Sequence, residues 1–194
     1  GIKHDASKVM ELTKINDTFY NGFNEEVDIE EKFVYPILKS SDISKSNIKP
    51  RKFIIITQKH VGSNTDNIRK EAPKTWSYLI KHSKILDNRK SIIYKKQSRF
   101  AIFGIGEYSF SPWKVAISGL YKNINFSVIG MMDNKEIMLD DTCYFISCSS
   151  KQEAERICKA LNSKIAKEYL ESMIFYDSKR PIKVDILKKL NIKG

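Results

Sequence analysis

The order of apolar and polar residues along the chain shows strand spacing in some segments and helix spacing in others. Residues 53–57 form a short run rich in β-branched side chains between polar segments, which predicts a buried strand. Apolar and polar residues alternate from 115 to 121, which predicts a half-buried strand with Lys114 and Lys122 on a basic rim. Two further strands are predicted, over residues 126–129 and over residues 138–147.

Helical spacing is clearest over residues 151–162. Ser150 precedes this segment and Glu153 follows three positions later, which is the sequence of a capping box. A second helix is predicted from Pro73 to about residue 86, since proline is favoured in a first helical turn. Others are predicted over residues 165–174 and in the tail, where Ile186, Leu187 and Leu190 have helical spacing. The pattern therefore predicts an α+β fold, with a twisted mixed or antiparallel sheet and flanking helices, forming one domain over residues 1–194.

The segment from residue 99 to residue 122 is rich in glycine, aromatic residues and serine. Pro112 interrupts regular pairing within it, between two apolar runs. We expect a loop here that presents Tyr108, Phe110, Trp113 and Lys114. A loop with exposed aromatic residues beside lysines is typical of a contact surface.

Charge and cysteine content restrict the partner and the compartment. The chain has 34 Lys and Arg against 23 Asp and Glu, a formal net charge of +11, which favours an anionic partner with nucleic acid ahead of membrane. Most of these basic residues are lysine, however, and a lysine-rich surface that only confers solubility remains an open alternative. The three cysteines fit no zinc spacing, and Cys158 falls on an apolar helical face as a free thiol. We therefore expect a cytoplasmic protein that does not contact a membrane.

Several enzyme motifs are nearly present, and each lacks an essential part. Gly104-x-Gly106 resembles a phosphate-binding glycine loop, but Ser109 stands where a third glycine is needed and no helix is predicted to begin there. Asp140 and Asp141 could bind a metal, although a capping or ion-pairing role at a strand edge is the simpler interpretation. No catalytic apparatus is visible in the sequence.

Several blocks of the sequence resemble one protein family. FGIGEYSFSPWKVAISGLYK, LDDTCYFI, SKQEAERICKALNSK and YDSKRPIKVDILKKL are similar to the C-terminal part of bacterial adenine-specific DNA methyltransferases of restriction–modification systems. GIKHDASKVMEL and YPILKSSDI resemble the start of the same region, the TaqI-like target-recognition domain. The family's catalytic domain carries an Asn-Pro-Pro-Tyr type motif, and the chain has no Pro-Pro pair. The resemblance therefore implies a recognition domain, either as part of a longer enzyme or as a separate specificity polypeptide.

A recognition domain needs basic side chains for phosphates and loop side chains for bases. The candidates for phosphate contact are Lys39, Lys59, Arg89, Lys95, Lys114 and Lys122. The candidates for base or sugar contact are Ser41, Tyr108, Ser109, Phe110 and Trp113. For each lysine the alternative is a solvated surface charge, and for Phe110 and Trp113 it is core packing.

The resemblance also implies the partners. They are double-stranded DNA and a catalytic methyltransferase domain of the same or another chain. No cofactor is expected in this chain, because S-adenosylmethionine would bind the catalytic domain. Two other functions remain open. One is a free-standing metal-dependent nuclease with Asp140, Asp141 and Glu107 around the metal, and the other is a basic protein-interaction module.

Overall fold

The computed structural model describes residues 1–174, 178 and 180–188. The helices over these residues are α1 (Ser7–Met10), α2 (Ser40–Ser44), α3 (Ile68–Glu71), α4 (Pro73–Lys81), α5 (Ser83–Asp87), α6 (Lys151–Leu161), α7 (Lys164–Met173) and α8 (Val184–Leu187). Three short 3₁₀ segments cover Glu31–Phe33, Ile92–Lys96 and Glu107–Phe110. The strands are β1 (Glu11–Ile15), β2 (Thr18–Tyr20), β3 (Glu26–Val27), β4 (Val34–Leu38), β5 (Lys52–Ile55), β6 (Trp113–Ser118), β7 (Ser127–Ile129), β8 (Met131–Met132), β9 (Lys135–Glu136), β10 (Met138–Leu139) and β11 (Cys143–Cys148).

This content of helices and antiparallel sheets confirms the predicted α+β class. The chain divides into two compact units. The first, called the N-terminal unit, contains Ile2–Ile37 and Pro50–Tyr108. The second, called the C-terminal unit, contains Gly1, Leu38–Lys49 and the described residues from Ser109 onward. That residues 1–194 act as one recognition domain stays a prediction. Within the described part of the chain, no helix has both the length and the apolar character needed to cross a membrane.

The N-terminal unit is organised around an antiparallel sheet with the strand order β4-β5-β1-β2-β3. The strand predicted at residues 53–57 is confirmed as β5, which ends at Ile55. Ile56 and Thr57 remain tied to the unit, because Ile56 N donates to Phe33 O at 2.8 Å and Thr57 Oγ1 donates to Phe100 O at 2.8 Å. The single helix predicted from Pro73 is divided at His82 into α4 and α5.

The C-terminal unit is organised around a three-stranded antiparallel sheet with the order β11-β6-β7. One face of β6 presents Val115 and Ile117 to a core that includes Ile157 of α6 and Leu170 of α7. The other face presents Ala116 to a second cluster that includes Ile43 of α2. The predicted strand is therefore confirmed as β6, which ends at Ser118 and not at residue 121, but the expected half-burial is wrong because β6 is covered on both faces. The alternation correctly assigned the side chains to the two faces of the strand, but α2 also covers the face that was expected to be solvated.

Other predicted elements in this unit differ in their bounds. The strand predicted over 138–147 is two strands, since a turn at Asp140 separates β10 from β11. Helices α6 and α7 are confirmed within one residue of the predicted ends. Ser150 Oγ accepts from Glu153 N at 3.2 Å, but the Glu153 carboxylate accepts from Ser149 N, so the capping box is displaced by one residue. The tail helix is α8, and Leu190 lies outside the described residues. All three cysteines are free, and Cys158 is half-buried.

Candidate nucleic-acid interface

The segment expected to present aromatic side chains is more tightly packed than the sequence suggested. Glu107–Phe110 forms a 3₁₀ turn, in which Tyr108 is exposed and Ser109 is buried. Phe110 and Trp113 are half-buried. A Cβ added at Gly130 would lie 2.9 Å from Trp113 Cζ3, so the indole ring packs directly on the glycine backbone. This contact favours core packing as the role of Trp113.

Lys114 is buried, with only 1% of its surface exposed. Its Nζ donates to Ser111 O at 2.7 Å. Burial lowers the pKa of this amine to about 8, and the charge of Glu136 opposes that effect. The basic rim predicted for β6 is therefore wrong at Lys114, because the side chain is directed into the protein and not toward solvent.

Arg89 is also buried and acts inside the N-terminal unit. Its Nε donates to Leu86 O at 2.7 Å. Its terminal nitrogens donate to the carbonyls of Ala101 at 2.7 Å, Arg99 at 3.1 Å and His4 at 3.3 Å. The expectation that Arg89 presents its charge to a phosphate is not met here, because the guanidinium joins four backbone carbonyls.

The remaining basic candidates are accessible. Lys59 follows the end of β5 and Lys95 lies on the 3₁₀ segment Ile92–Lys96, and both are exposed in the N-terminal unit. Lys122 is exposed in the C-terminal unit, where Lys39 and Ser41 are half-buried at the start of α2. Beside the half-buried Phe110 and Trp113, the C-terminal unit therefore contains three predicted contact residues that are at least partly accessible, at the start of α2 and on the loop after β6.

That loop has an exposed centre which we call the 120–123 tip, consisting of Leu120, Tyr121, Lys122 and Asn123. All four residues are exposed, with Tyr121 at 42%. The residues on either side, Gly119 and Ile124, are buried. Sequence reasoning singled out only Lys122 in this group, because it extended the strand to residue 121 and so assigned Leu120 and Tyr121 to a regular sheet, and it gave Asn123 no role.

A pair of buried hydroxyls fixes the first end of the tip. Ser40 Oγ donates to Thr142 O at 2.8 Å, and this bond uses its single proton. Ser118 Oγ, 2.9 Å from Ser40 Oγ, is therefore the donor between the two hydroxyls. The lone pairs of Ser118 Oγ then accept from the backbone amides of Leu120 and Tyr121, both at 3.3 Å. Ser118 thus connects the start of α2 to the backbone of the tip.

Close packing adds to this attachment at Gly119. Its N donates to Thr142 O at 2.8 Å. A Cβ at this position would lie 2.7 Å from Tyr144 Cε2 and 2.9 Å from Thr142 O, so only glycine fits without a shift of the neighbours.

The other end of the loop is held by Asn162, at the end of α6. Its side-chain oxygen accepts from Phe126 N at 3.0 Å and its Nδ2 donates to Phe126 O at 2.8 Å. Asn125 Nδ2 also donates to Ser46 Oγ at 3.1 Å, which links the loop to the residues that follow α2. The exposed tip is therefore attached on both sides to buried structure.

The two aspartates considered as metal ligands have local structural roles. Asp140 Oδ1 accepts from Thr142 N at 3.1 Å and from the Cys143 thiol at 3.4 Å. Burial and the charge of Asp140 raise the pKa of Cys143. Asp141 pairs with Arg180 at 3.2 Å. Among the described residues, no three or more His, Cys, Asp and Glu side chains are grouped to hold a metal ion.

The space beside the two glycines that resembled a cofactor loop is occupied by a side chain of the protein. Gly104 has a φ of +65°, which explains why glycine stands there. A Cβ at Gly106 would lie 2.7 Å from Tyr108 Cε1, so the tyrosine ring covers the backbone that a phosphate would need to approach. The segment that follows is the short 3₁₀ turn and not a helix N-terminus. These residues do not fit a nucleotide or S-adenosylmethionine site.

The chain matches no protein-family model. It is 51% identical over 194 residues to the type II methyltransferase M.NspV from Nostoc sp. (strain ATCC 29411 / PCC 7524). This similarity covers 100% of the chain and 40% of the relative. The chain therefore spans less than half of the protein to which it is similar.

Proposed function

We propose that this chain is the DNA target-recognition region of an adenine-specific type II methyltransferase from a restriction–modification system. The observation that supports this most strongly is the 51% identity to a type II methyltransferase along the whole chain, over only 40% of that relative. The net charge of +11 supports an anionic partner.

In this proposal the exposed basic side chains bind phosphates and the accessible loop side chains contact bases. Lys39, Lys59, Lys95 and Lys122 are the phosphate candidates that the fold leaves at least partly accessible. Phosphate contacts provide affinity that depends on salt but not on sequence, whereas side chains that reach base edges provide the preference for one site. Ser41 and Tyr108 remain candidates for base or sugar contact on the same grounds of exposure.

The proposal assigns methyl transfer to a catalytic domain outside this chain, in the cytoplasm. That domain would bind S-adenosylmethionine and flip the target adenine out of the duplex. We accordingly expect the 194-residue chain to bind no S-adenosylmethionine. Micromolar binding in a calorimetric titration would contradict this part of the proposal.

Duplex binding by the 194-residue chain tests the function. A pool of random duplexes, selected in low salt and sequenced, should become enriched in one short motif. Lys122→Ala should weaken binding to all duplexes about equally and lower the salt slope of the affinity by about one unit. Lys159→Ala, which removes an exposed lysine from α6, is the matched control and should leave the slope unchanged.

Other outcomes would point to the alternative functions. Absence of duplex binding in low salt would reject a DNA-recognition role and favour a protein-interaction module. Cleavage of a plasmid that requires added Mg²⁺ and is lost in Asp140→Asn would favour a metal-dependent nuclease.

A further inference from the structure

We infer that the 120–123 tip is the element that reads bases, and that Ser118 is the residue that positions it. This inference rests on the proposed function, because it identifies the side chains that would determine the preferred site. It moves the main base-reading role away from Ser109, Phe110 and Trp113, where the sequence had suggested it, and leaves Ser41 and Tyr108 as candidates for additional contacts.

The first argument is attachment. The tip has four consecutive exposed residues, yet Ser118 holds two of their backbone amides and Asn162 holds the far end of the loop through both its oxygen and its nitrogen. The hydrogen bonds from Ser118 and Asn162 order the backbone on both sides of four side chains that stay exposed. A loop that must present side chains to a fixed target gains affinity from being ordered in advance, because less conformational entropy is lost on binding.

The second argument is the chemistry of the side chains. Asn123 carries an amide, which pairs with the N6 and N7 edge of adenine, and Leu120 is apolar and matches the methyl group of thymine. Tyr121 can donate or accept through its hydroxyl, and Lys122 carries the charge for an adjacent phosphate. An amide and an apolar group within four residues correspond to the major-groove edge of an A·T pair. We therefore assign an A·T pair as the target of the tip.

The third argument is a comparison with the segment around Trp113. There Ser109 and Lys114 are buried, and the Trp113 ring packs on Gly130. Side chains used in this way cannot move into a groove without loss of internal contacts. In the 120–123 tip, by contrast, the buried groups hold the backbone and leave the side chains accessible.

The test compares site preference with stability in the 194-residue chain. Duplex selection with Asn123→Ala and Tyr121→Ala should show a preference at one A·T position that is lost or reduced at least 10-fold, while binding to a non-specific duplex stays within 2-fold. Tyr169→Ala, which removes an exposed tyrosine from α7, is the matched control and should leave the motif intact.

Ser118 is tested by two substitutions. Ser118→Ala removes the acceptor for both tip amides, and we expect the same loss of preference as in Asn123→Ala. Ser118→Thr keeps the hydroxyl and should restore the preference. A purely structural role would instead lower the melting temperature in proportion to any loss of binding, with the ranking of sites unchanged.

The outcomes separate this inference from the function on which it rests. If the unmodified chain selects no motif, the proposed function fails. If it selects a motif that Asn123→Ala, Tyr121→Ala and Ser118→Ala all leave unchanged, the function stands and the assignment of the 120–123 tip is overturned.

Discussion

Glu30 caps helix α4, although Thr75, its partner, lies 45 residues further along the chain. The Glu30 carboxylate accepts from Thr75 N at 2.8 Å, from Thr75 Oγ1 at 2.6 Å and from Lys74 N at 3.0 Å. Both groups belong to the N-terminal unit, where α4 has no side-chain cap of its own at Ala72. Glu30 thus satisfies the free amides of a helix N-terminus that is distant in sequence.

The first prediction concerns the pH dependence of this cap. Burial opposes ionisation of Glu30, but the hydrogen bonds from Thr75 and Lys74 lower its pKa from 4.5 to about 2. Because the folded-state pKa is the lower one, the stabilisation is present above pH 4.5 and is lost as the pH falls toward 2. We expect Glu30→Gln to remove about 1–2 kcal/mol of stability at neutral pH, since solvent screening reduces the full effect.

Urea unfolding at several values between pH 2 and pH 6 measures this effect. The difference between wild type and Glu30→Gln should shrink as the pH falls below 4.5. Glu31→Gln, at the exposed neighbouring position, is the control. A difference that stays constant over the whole range would contradict a charged cap.

The second prediction concerns Lys114, whose buried amine has a pKa near 8 in place of 10.5. Between these values the unfolded chain binds more protons than the folded chain, so stability should rise with pH from 8 to 10.5. We expect this rise to be about 2–3 kcal/mol relative to Lys114→Met, which has nothing to titrate. Unfolding midpoints at pH 7.5, 9 and 10.5 provide the measurement, with the exposed Lys159→Met as control. If the unfolding midpoints of wild type and Lys114→Met change with pH in parallel, the amine is hydrated in the folded protein and the prediction is contradicted.

The third prediction concerns Arg89. Replacement by Lys keeps the charge but offers three donors on one nitrogen, which cannot reach four carbonyls in different directions. We expect Arg89→Lys to lower the free energy of unfolding by about 3 kcal/mol, because buried carbonyls lose their donors. The neighbouring Lys90 is exposed, and Lys90→Ala should change stability by less than about 0.5 kcal/mol. A melting temperature for Arg89→Lys equal to that of wild type would mean that water replaces the guanidinium.

The fourth prediction concerns the apolar face of α6. Ile157 is buried in the core between α6 and β6, and Ile157→Asp places a charge there. We expect a loss of about 3–5 kcal/mol in thermal or urea unfolding. Gln152→Asp introduces the same side chain at an exposed position of the same helix and should change little. Equal effects from the two substitutions would indicate that α6 is not packed on the sheet.

Much of the fold follows from local patterns that the sequence displays directly. The apolar run before Thr57 and the helical spacing around Ile157 indicate β5 and α6 without knowledge of the rest of the chain. The environment of Lys114 could not be predicted in this way, since α2, which covers that face of β6, lies about 70 residues earlier in the chain. Burial in such a case is decided by long-range packing and not by local periodicity.

The candidate site was harder to predict for a related reason. Alternation continues to Tyr121, but the strand ends at Ser118 because that side chain accepts from the backbone amides of Leu120 and Tyr121. Local side-chain hydrogen bonds of this kind compete with sheet pairing. Ser40 makes Ser118 the donor between the two hydroxyls, and its position beside Ser118 is known only from the tertiary structure. The sequence could therefore indicate Lys122 as a candidate contact residue but not the loop that carries it.

The order of segments in the C-terminal unit limits how the protein can be recombined. Leu38–Lys49 belongs to this unit although the chain then returns to the N-terminal unit for Pro50–Tyr108. A chimera that exchanges only the residues from Ser109 onward would replace Ser118 while keeping the host's Ser40, so the hydroxyl pair would join two parental sequences. If the proposed function holds, we expect a chimera to inherit a new site preference only when both segments, Leu38–Lys49 and the residues from Ser109 onward, are exchanged together. Because the C-terminal unit is built from separate segments of the chain, no chimera with a single junction exchanges the whole unit.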